Sequence, residues 1–345
     1  MGNKVIEPKH PLPAPMEMGS LGIRFIPRYW KRSWLKKNGQ LNQEAYQEEW
    51  NIDNALLNAL GLGLEQTIIQ VYQHCRSLEE FERWIGSTVD LDQLKDRIRQ
   101  FNEFIEQGMN QGLSEEIGTV LRPDEWKFWE ENGYIIIKNA IPREDALATV
   151  QLICEHINVD PNDPQTWYHP HPSRQGIMIQ LFQHEQLEKN RHSKKIRQVY
   201  EQLWGRKDIH VNTDRVGFNP PETDHWKFPG PRMHWDVSLA LPIPFGLQGI
   251  LYLADTALNQ GAFTLVPGFH LKIEEWIHSL PPGTNPRTRD MDELGPLPIA
   301  AEAGDFIIWH QALPHGSSPN RSEKPRYVQY FNYAPLDVEH QEKWI

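Results

Sequence analysis

The spacing of apolar positions changes twice along the chain, and each change marks a change of architecture. Residues 1–20 are proline-rich and show no period, which predicts an extended segment strapped across a neighbouring surface. From about Gln43 to Gln107, stretches such as LNQEAYQEEWNIDNALLNALGL and LDQLKDRIRQFNEFIEQGM repeat apolar residues three and four apart, the period of amphipathic helices. Breaks at Gly61 and Gly63, near Ser77 and at Gly86-Ser87 divide this region into three or four helices. QGLSEEIGTV, residues 111–120, is the joint between this helical region and the remainder of the chain.

Beyond the joint the elements shorten. RPDEWKFWEENGYIIIKNAI predicts a helix starting near Pro123-Asp124, a stop at Gly133 and a buried strand over 134–138. Helices are expected over about 143–157 and 193–203. The β-branched and aromatic runs HVNTDRVGF, GLQGILYLAD, GAFTLVPG, LPIAAEAGDFIIW and RYVQYFNYA then have strand length and Pro/Gly punctuation, the signature of a sandwich or barrel. The resulting division is an N-terminal extended and helical extension, 1–120, and a mainly β domain, 121–345, in an α+β chain.

Composition narrows the class. With 345 residues, 39% hydrophobic content and no run approaching a membrane span, the chain reads as a globular cytoplasmic protein. Cys75 and Cys154 lie far apart and outside any CxxC pattern, which argues against a zinc site or a disulfide framework. A net charge of −11 predicts no nucleic-acid partner and no membrane partner. The one dense basic patch, RYWKRSWLKK at 28–37, is expected to be a solvated helix entrance.

The chemistry begins at PRMHWDVSL, residues 231–239. A His-x-Asp triplet is expected about once by chance in a chain with 15 histidines, so alone it says little. On a strand, residues two apart share a face, so His234 and Asp236 would converge, with Arg232 on their side and Trp235 turned away. A third ligand is offered by GDFIIWHQALPHGSSPNRSEKPR, in which a buried strand runs into a loop bearing His310 and His315. Two histidines and one carboxylate with open positions left over form the facial triad of non-haem Fe(II) oxygenases.

In the order and spacing of these elements the chain resembles the phytanoyl-CoA dioxygenase family of Fe(II)/2-oxoglutarate-dependent oxygenases. The resemblance covers about 121–335 and includes EENGYIIIKNAI, the His-x-Asp segment, NQGAFTLVPGFH and HGSSPNRSEKPR. It implies a double-stranded β-helix, a jelly roll with flanking helices. It selects His315 over His310 as the distal ligand and assigns Arg326 to the far carboxylate of 2-oxoglutarate. An Arg suits that task because its planar fork can grip a carboxylate through two parallel hydrogen bonds. Ser317 is placed to help, and Tyr252, sharing a strand face with Gln248 and Ile250, is a further candidate for the co-substrate. Arg232, Thr213, Arg215 and Gln248 are candidates for the substrate pocket, and the loop at 219–231 for a lid. The His-x-His pair in WYHPHPSR lacks a third ligand and reads as rim or loop.

The implied reaction uses Fe(II), 2-oxoglutarate and O2 to hydroxylate a C–H bond of a small-molecule substrate, releasing succinate and CO2. Halogenases related to the family lack the carboxylate ligand; Asp236 therefore favours hydroxylation, with desaturation and ring closure still open. A non-catalytic binding scaffold and a cupin-like lyase or isomerase without 2-oxoglutarate are the alternatives. The resemblance leaves the first 120 residues without a role: covering the barrel, shaping the pocket and forming a homodimer all remain open.

Overall fold

The computed structural model describes residues 11–107, 117–339, 341 and 343–345. They divide into two compact units, one from the residues before 116 with 335–342, the other from the residues after 116 to 334 with 343–345. Most of the joint expected at 111–120 lies outside the described residues, as do the first ten residues.

The N-terminal unit is helical. Ile26–Lys37, Gln43–Gln47, Trp50–Ala59, Leu64–Ile69, Leu78–Thr88 and Lys95–Gln107 are α-helices, with one π-turn at Gln70–His74. Five of these helices fall within the region where three or four were expected. The break expected at Gly86-Ser87 falls just beyond them: Leu78–Thr88 runs through both and ends one residue later, its apolar face buried at Phe81 and Ile85. Packing of one face outweighs the weak helix propensity of a single Gly. Phe81 stacks between Trp30, at 5.5 Å, and Trp84, at 5.7 Å, in the centre of this core. The segment before Ile26 is strapped on as expected, with Ser20 donating to the buried Glu82 at 2.7 Å.

The basic patch is not simply a solvated surface. Arg32 is buried and pairs with buried Asp53 at 2.7 Å, and Arg28 meets Glu49 at 2.6 Å. Two charges of the run therefore face inward, and each finds a carboxylate 21 residues further along the chain. Among the described residues no helix is long and apolar enough to cross a membrane.

The second unit carries the strands β1 (Tyr134–Ile137), β2 (Arg174–Gln175), β3 (Met178–Ile179), β4 (Ile209–Val211), β5 (Val216–Asn219), β6 (Leu247–Tyr252), β7 (Phe263–Leu265), β8 (Leu297–Pro298), β9 (Phe306–His310), β10 (His315–Ser317) and β11 (Arg326–Tyr330). Seven form one sheet in the order β1-β9-β6-β11-β5-β3-β2, and β10-β7-β8 form a second. All the registered pairs are antiparallel. This is the jelly roll, in a mixed α+β chain.

Alternation along the strands separates two cores. Phe306 and Ile308 of β9, Leu247 and Leu251 of β6 and Tyr327 of β11 face the helices Arg143–His156 and Lys194–Trp204. Ile307 and Trp309, Ile250 and Tyr252, and Val328 face the small sheet, meeting Phe263, Leu265 and Ile299. The same parity points Gln248, Arg326 and Tyr330 inward, toward the mouth between the sheets. The helix Pro123–Asn132 ends at Gly133, whose φ of 71° lets the chain turn directly into β1.

Candidate active site

The segment carrying His234 and Asp236 is not a strand. It meets β10 through a bridge to His315, with His234 N–H donating to His315 O at 2.8 Å and the reverse bond at 3.0 Å, and through Ser317 N–H donating to Pro231 O at 3.2 Å. Side chains from elsewhere replace the missing pairing. Trp235 is buried against Phe269 and Trp276, and its indole donates to Ala312 O at 2.9 Å. The Arg287 guanidinium donates to Trp235 O at 2.7 Å and to Val237 O, the carbonyls on either side of Asp236. Its Nε donates to Ile345 O at 3.0 Å.

His315 opens β10 instead of sitting in a loop, paired opposite Leu265 of β7. Gly316 follows it, and a Cβ at that position would lie 2.5 Å from Arg232 O and 3.0 Å from Met233 N. Backbone cannot yield as a flexible side chain can, so only glycine lets the two ligand segments close. Gly316→Ala is expected to cost about 1–3 kcal/mol of stability and to weaken metal binding with it; thermal melting and a Co(II) titration measure both.

The two segments bring the donor atoms of His234, Asp236 and His315 within 4.8 Å of one another, and among the described residues this is the only such group of three or more. Each imidazole turns Nδ1 to a backbone carbonyl: His234 to Arg232 O at 2.7 Å, His315 to Leu313 O at 3.1 Å. That leaves both Nε2 atoms facing Asp236, at 3.3 Å from Oδ1 and 3.1 Å from Oδ2. Donation of the far ring nitrogen to a carbonyl is the usual way a metal-binding imidazole is oriented. Desolvation by the surrounding protein works against the Asp236 charge, but with the rings protonated on both nitrogens, hydrogen bonds from both histidines outweigh it and hold the carboxyl well below its ordinary range. The carboxylate is therefore ionised and ready to bind a cation.

Behind Ser317 lies Arg326, the first residue of β11 and fully buried. Its Nη2 donates to Ser317 Oγ at 3.0 Å, while Nε and Nη1 are buried with no hydrogen-bond partner among the described residues. A buried guanidinium with two unmet donors is costly and calls for an acceptor. The turn that delivers it is tied by Asn320, whose amide donates to Asn219 O at 2.9 Å and Lys324 O at 2.8 Å.

A cavity of about 210 Å³ opens onto His234, Asp236, His315 and Ser317. Its other walls include Asp214, Arg215, Gln248, Phe263, Trp309 and Tyr330. Met178 of β3 and Pro231, at the end of the 219–231 loop, also reach it.

A family model described as phytanoyl-CoA dioxygenase (PhyH) matches residues 129–328, more than half of the 345. The chain belongs to the phytanoyl-CoA dioxygenase family. It is accordingly a non-haem Fe(II)- and 2-oxoglutarate-dependent oxygenase that uses O2. It is 26% identical over 268 residues to a Dictyostelium discoideum protein named for the same enzyme class, covering 62% of this chain and 75% of that one. To the peroxisomal phytanoyl-CoA dioxygenase of Rattus norvegicus it is 26% identical over 245 residues, covering 64% and 70%. Among solved structures it is similar to the epimerase SnoN in complex with Fe3+, alpha ketoglutarate and nogalamycin RO, at a TM-score of 0.46 and 17% identity over 63% of this chain and 85% of that one. EctD from S. alaskensis matches at a TM-score of 0.44 and 16% identity, over 67% and 84%.

The residues present fit what the phytanoyl-CoA dioxygenase family binds: a nitrogen and oxygen donor set for iron, and an unmet guanidinium for a dicarboxylate. Several expected contacts nevertheless fall elsewhere. Arg232 is exposed and does not line the cavity, because the pairing with β10 slips by one residue there, Ser317 N–H donating to Pro231 O and not to Arg232 O. Thr213 is buried away from the cavity, which its neighbours Asn212 and Asp214 line instead. Tyr252 points inward but is spent on structure: its hydroxyl donates to Ile299 O at 2.9 Å and accepts from Phe263 N at 2.8 Å. Burial pushes that phenol up to about 12, so it stays neutral beside Arg326. Arg215 lines the cavity, with Nε 3.4 Å from Asp214 Oδ1.

His310 is excluded by position, being packed against His270 and Phe245 on the far side of β9, where burial depresses its imidazole to about 4. His171 of WYHPHPSR meets the ring of His156 at 5.8 Å and accepts from Ser173 N–H at 3.2 Å, in no metal-type cluster among the described residues. Sequence reasoning missed Arg287, Trp309, Tyr330 and Asp214 as site residues. For Tyr330 the signal was available, since it lies on the same strand face as Arg326, four residues beyond it.

Proposed function

We propose that His234, Asp236 and His315 hold Fe(II), that Arg326 with Ser317 binds the distal carboxylate of 2-oxoglutarate, and that the enzyme hydroxylates a C–H bond of a small molecule. The bound metal and co-substrate supply the oxidation: O2 is divided between 2-oxoglutarate, which becomes succinate and CO2, and the substrate. The chain's own task is placement. Trp235 and Arg287 fix the ligand segment, Arg326 sets how deep the co-substrate sits, and the cavity walls exclude water and hold one C–H group close. Retention of the Asp236 carboxylate supports hydroxylation over chemistry that needs its coordination position.

The observation that carries this reading is the conjunction of the three-residue cluster, which lines the cavity with Ser317, and the buried Arg326 guanidinium directly behind Ser317, which has two donors unmet. We place the oxygenase domain within 121–345, of which 335–342 group with the N-terminal unit, with the preceding residues as an extension, and the reaction in the cytoplasm, which suits two buried cysteines that form no disulfide.

Anaerobic addition of 2-oxoglutarate to the Fe(II) protein should produce a metal-to-ligand charge-transfer band. Its absence in fully metallated protein would refute chelation at this site. With air admitted, succinate should form, and a cell-extract screen by mass spectrometry should reveal a compound that gains one oxygen atom; loss of two hydrogens instead would reassign the reaction to desaturation or ring closure.

A further inference from the structure

Asp236 raises a problem of orientation. Its side chain is 52% exposed, so packing does not set the angle of the carboxylate, although a metal ligand must be held near its productive geometry. Hydrogen bonds have to set it. Gln248 Nε2 donates to Asp236 Oδ2 at 2.7 Å, and Trp309 Nε1 donates to Gln248 Oε1 at 3.0 Å. An indole N–H can only donate, so it fixes which end of the amide faces it. Oε1 must turn to Trp309, which leaves the NH2 end for Asp236.

The fold makes this arrangement rigid. Gln248 and Trp309 are directly opposed across the β6–β9 ladder and both point inward, a pairing that brings their side chains within reach of each other. Trp309 is 3% exposed, with its ring 4.3 Å from Phe263 and 5.1 Å from the His315 imidazole. One buried indole thus abuts one ligand and, through the amide, orients another. The amide is also the right chemistry for the purpose: it donates without bringing a positive charge that would neutralise the carboxylate or repel a dication.

We propose that Trp309 and Gln248 act as a relay that holds one oxygen of Asp236 and leaves the other for the metal, making Gln248 a positioning residue for metal binding and not a substrate contact. This rests on the three-ligand reading of the site. It predicts that the two residues act as a unit, because Trp309 donates toward Asp236 through Gln248, while its ring contact with His315 is one that the phenyl ring of Trp309→Phe can keep.

The test is a calorimetric titration of Co(II) into the full chain and three variants, which needs neither turnover nor a known substrate. Gln248→Met, similar in length but without donor or acceptor, should bind Co(II) about 10–100-fold more weakly. Trp309→Phe should show a smaller loss in the same direction. The double variant should be no weaker than Gln248→Met, the non-additivity of residues in one network.

Affinities within about twofold of the unsubstituted protein, including those accompanied by a fall in melting temperature, would show a merely structural role and overturn the relay. Additive losses would overturn it too, since they would mean independent action. Where Gln248→Met does not fold, Gln248→Ala replaces it under the same criteria. If the unsubstituted chain itself binds no Co(II), the three-ligand reading fails, and the relay with it; that outcome is separate from a variant effect.

Discussion

Replacing Arg326 by Met is expected to weaken 2-oxoglutarate binding by about 2–5 kcal/mol, roughly thirty- to several-thousand-fold, without removing the metal site. The guanidinium is fully buried, has one hydroxyl partner in Ser317, and keeps two donors unmet. Its cost in the co-substrate-free protein is that of a buried charge with too few partners, and a methionine of similar volume removes that cost. The stability of the free protein should therefore hold or rise. The unsubstituted protein should melt higher as 2-oxoglutarate is added, by ligand linkage, and the variant should lose that rise. A variant that keeps the full rise would rule out Arg326 as the carboxylate anchor. Thermal melting against 2-oxoglutarate concentration reads both effects, and the KM for 2-oxoglutarate supplies the kinetic check.

The second large effect is expected for Asp236→Ala. Among the three clustered residues it is the only carboxylate, and it is the group toward which both imidazoles turn Nε2. Without it two neutral imidazoles remain, a weak site for a hard dication. Loss of a metal ligand should remove several kcal/mol of barrier lowering, so succinate formation should fall at least about a thousandfold. Co(II) affinity should fall in parallel, which separates loss of metal from damage beyond it. Full turnover in the variant would refute the assigned role.

The jelly roll was legible because its strands are short, β-branched and bounded by Pro and Gly, and because a strand's two-residue period assigns faces without knowledge of its neighbours. Gln248, Ile250 and Tyr252 do share an inward face, as that period requires. What the period cannot show is whether a ladder exists. Parity places Arg232 beside His234, but beyond the bridge at His234 the backbone pairing shifts to Pro231, and the placement fails.

Partners distant in sequence were equally out of reach. Arg287 grips the carbonyls of Trp235 and Val237 from a loop with no pattern of its own. Arg28 and Arg32 look like solvent-facing charges in the sequence because nothing local announces that Glu49 and Asp53 will lie beneath them. Gln248 looks open to a substrate because its amide's engagement depends on the indole across the ladder. Gly86-Ser87 reads as a helix break by propensity, and the helix ends just after it, at Thr88, held that far by the burial of Phe81 and Ile85.

The ligand segment's lack of a ladder has a consequence for transplanting this site into another barrel. Copying the three residues onto a well-paired strand of a host would keep the alternation of His234, Trp235 and Asp236 but would omit the parts that aim them. The portable unit comprises the three clustered residues together with the wedge at Trp235, the brace at Arg287, the bare backbone at Gly316 and the Gln248–Trp309 pair. A graft carrying those eight residues would import the aiming contacts, whereas a three-residue graft would inherit only the donor atoms.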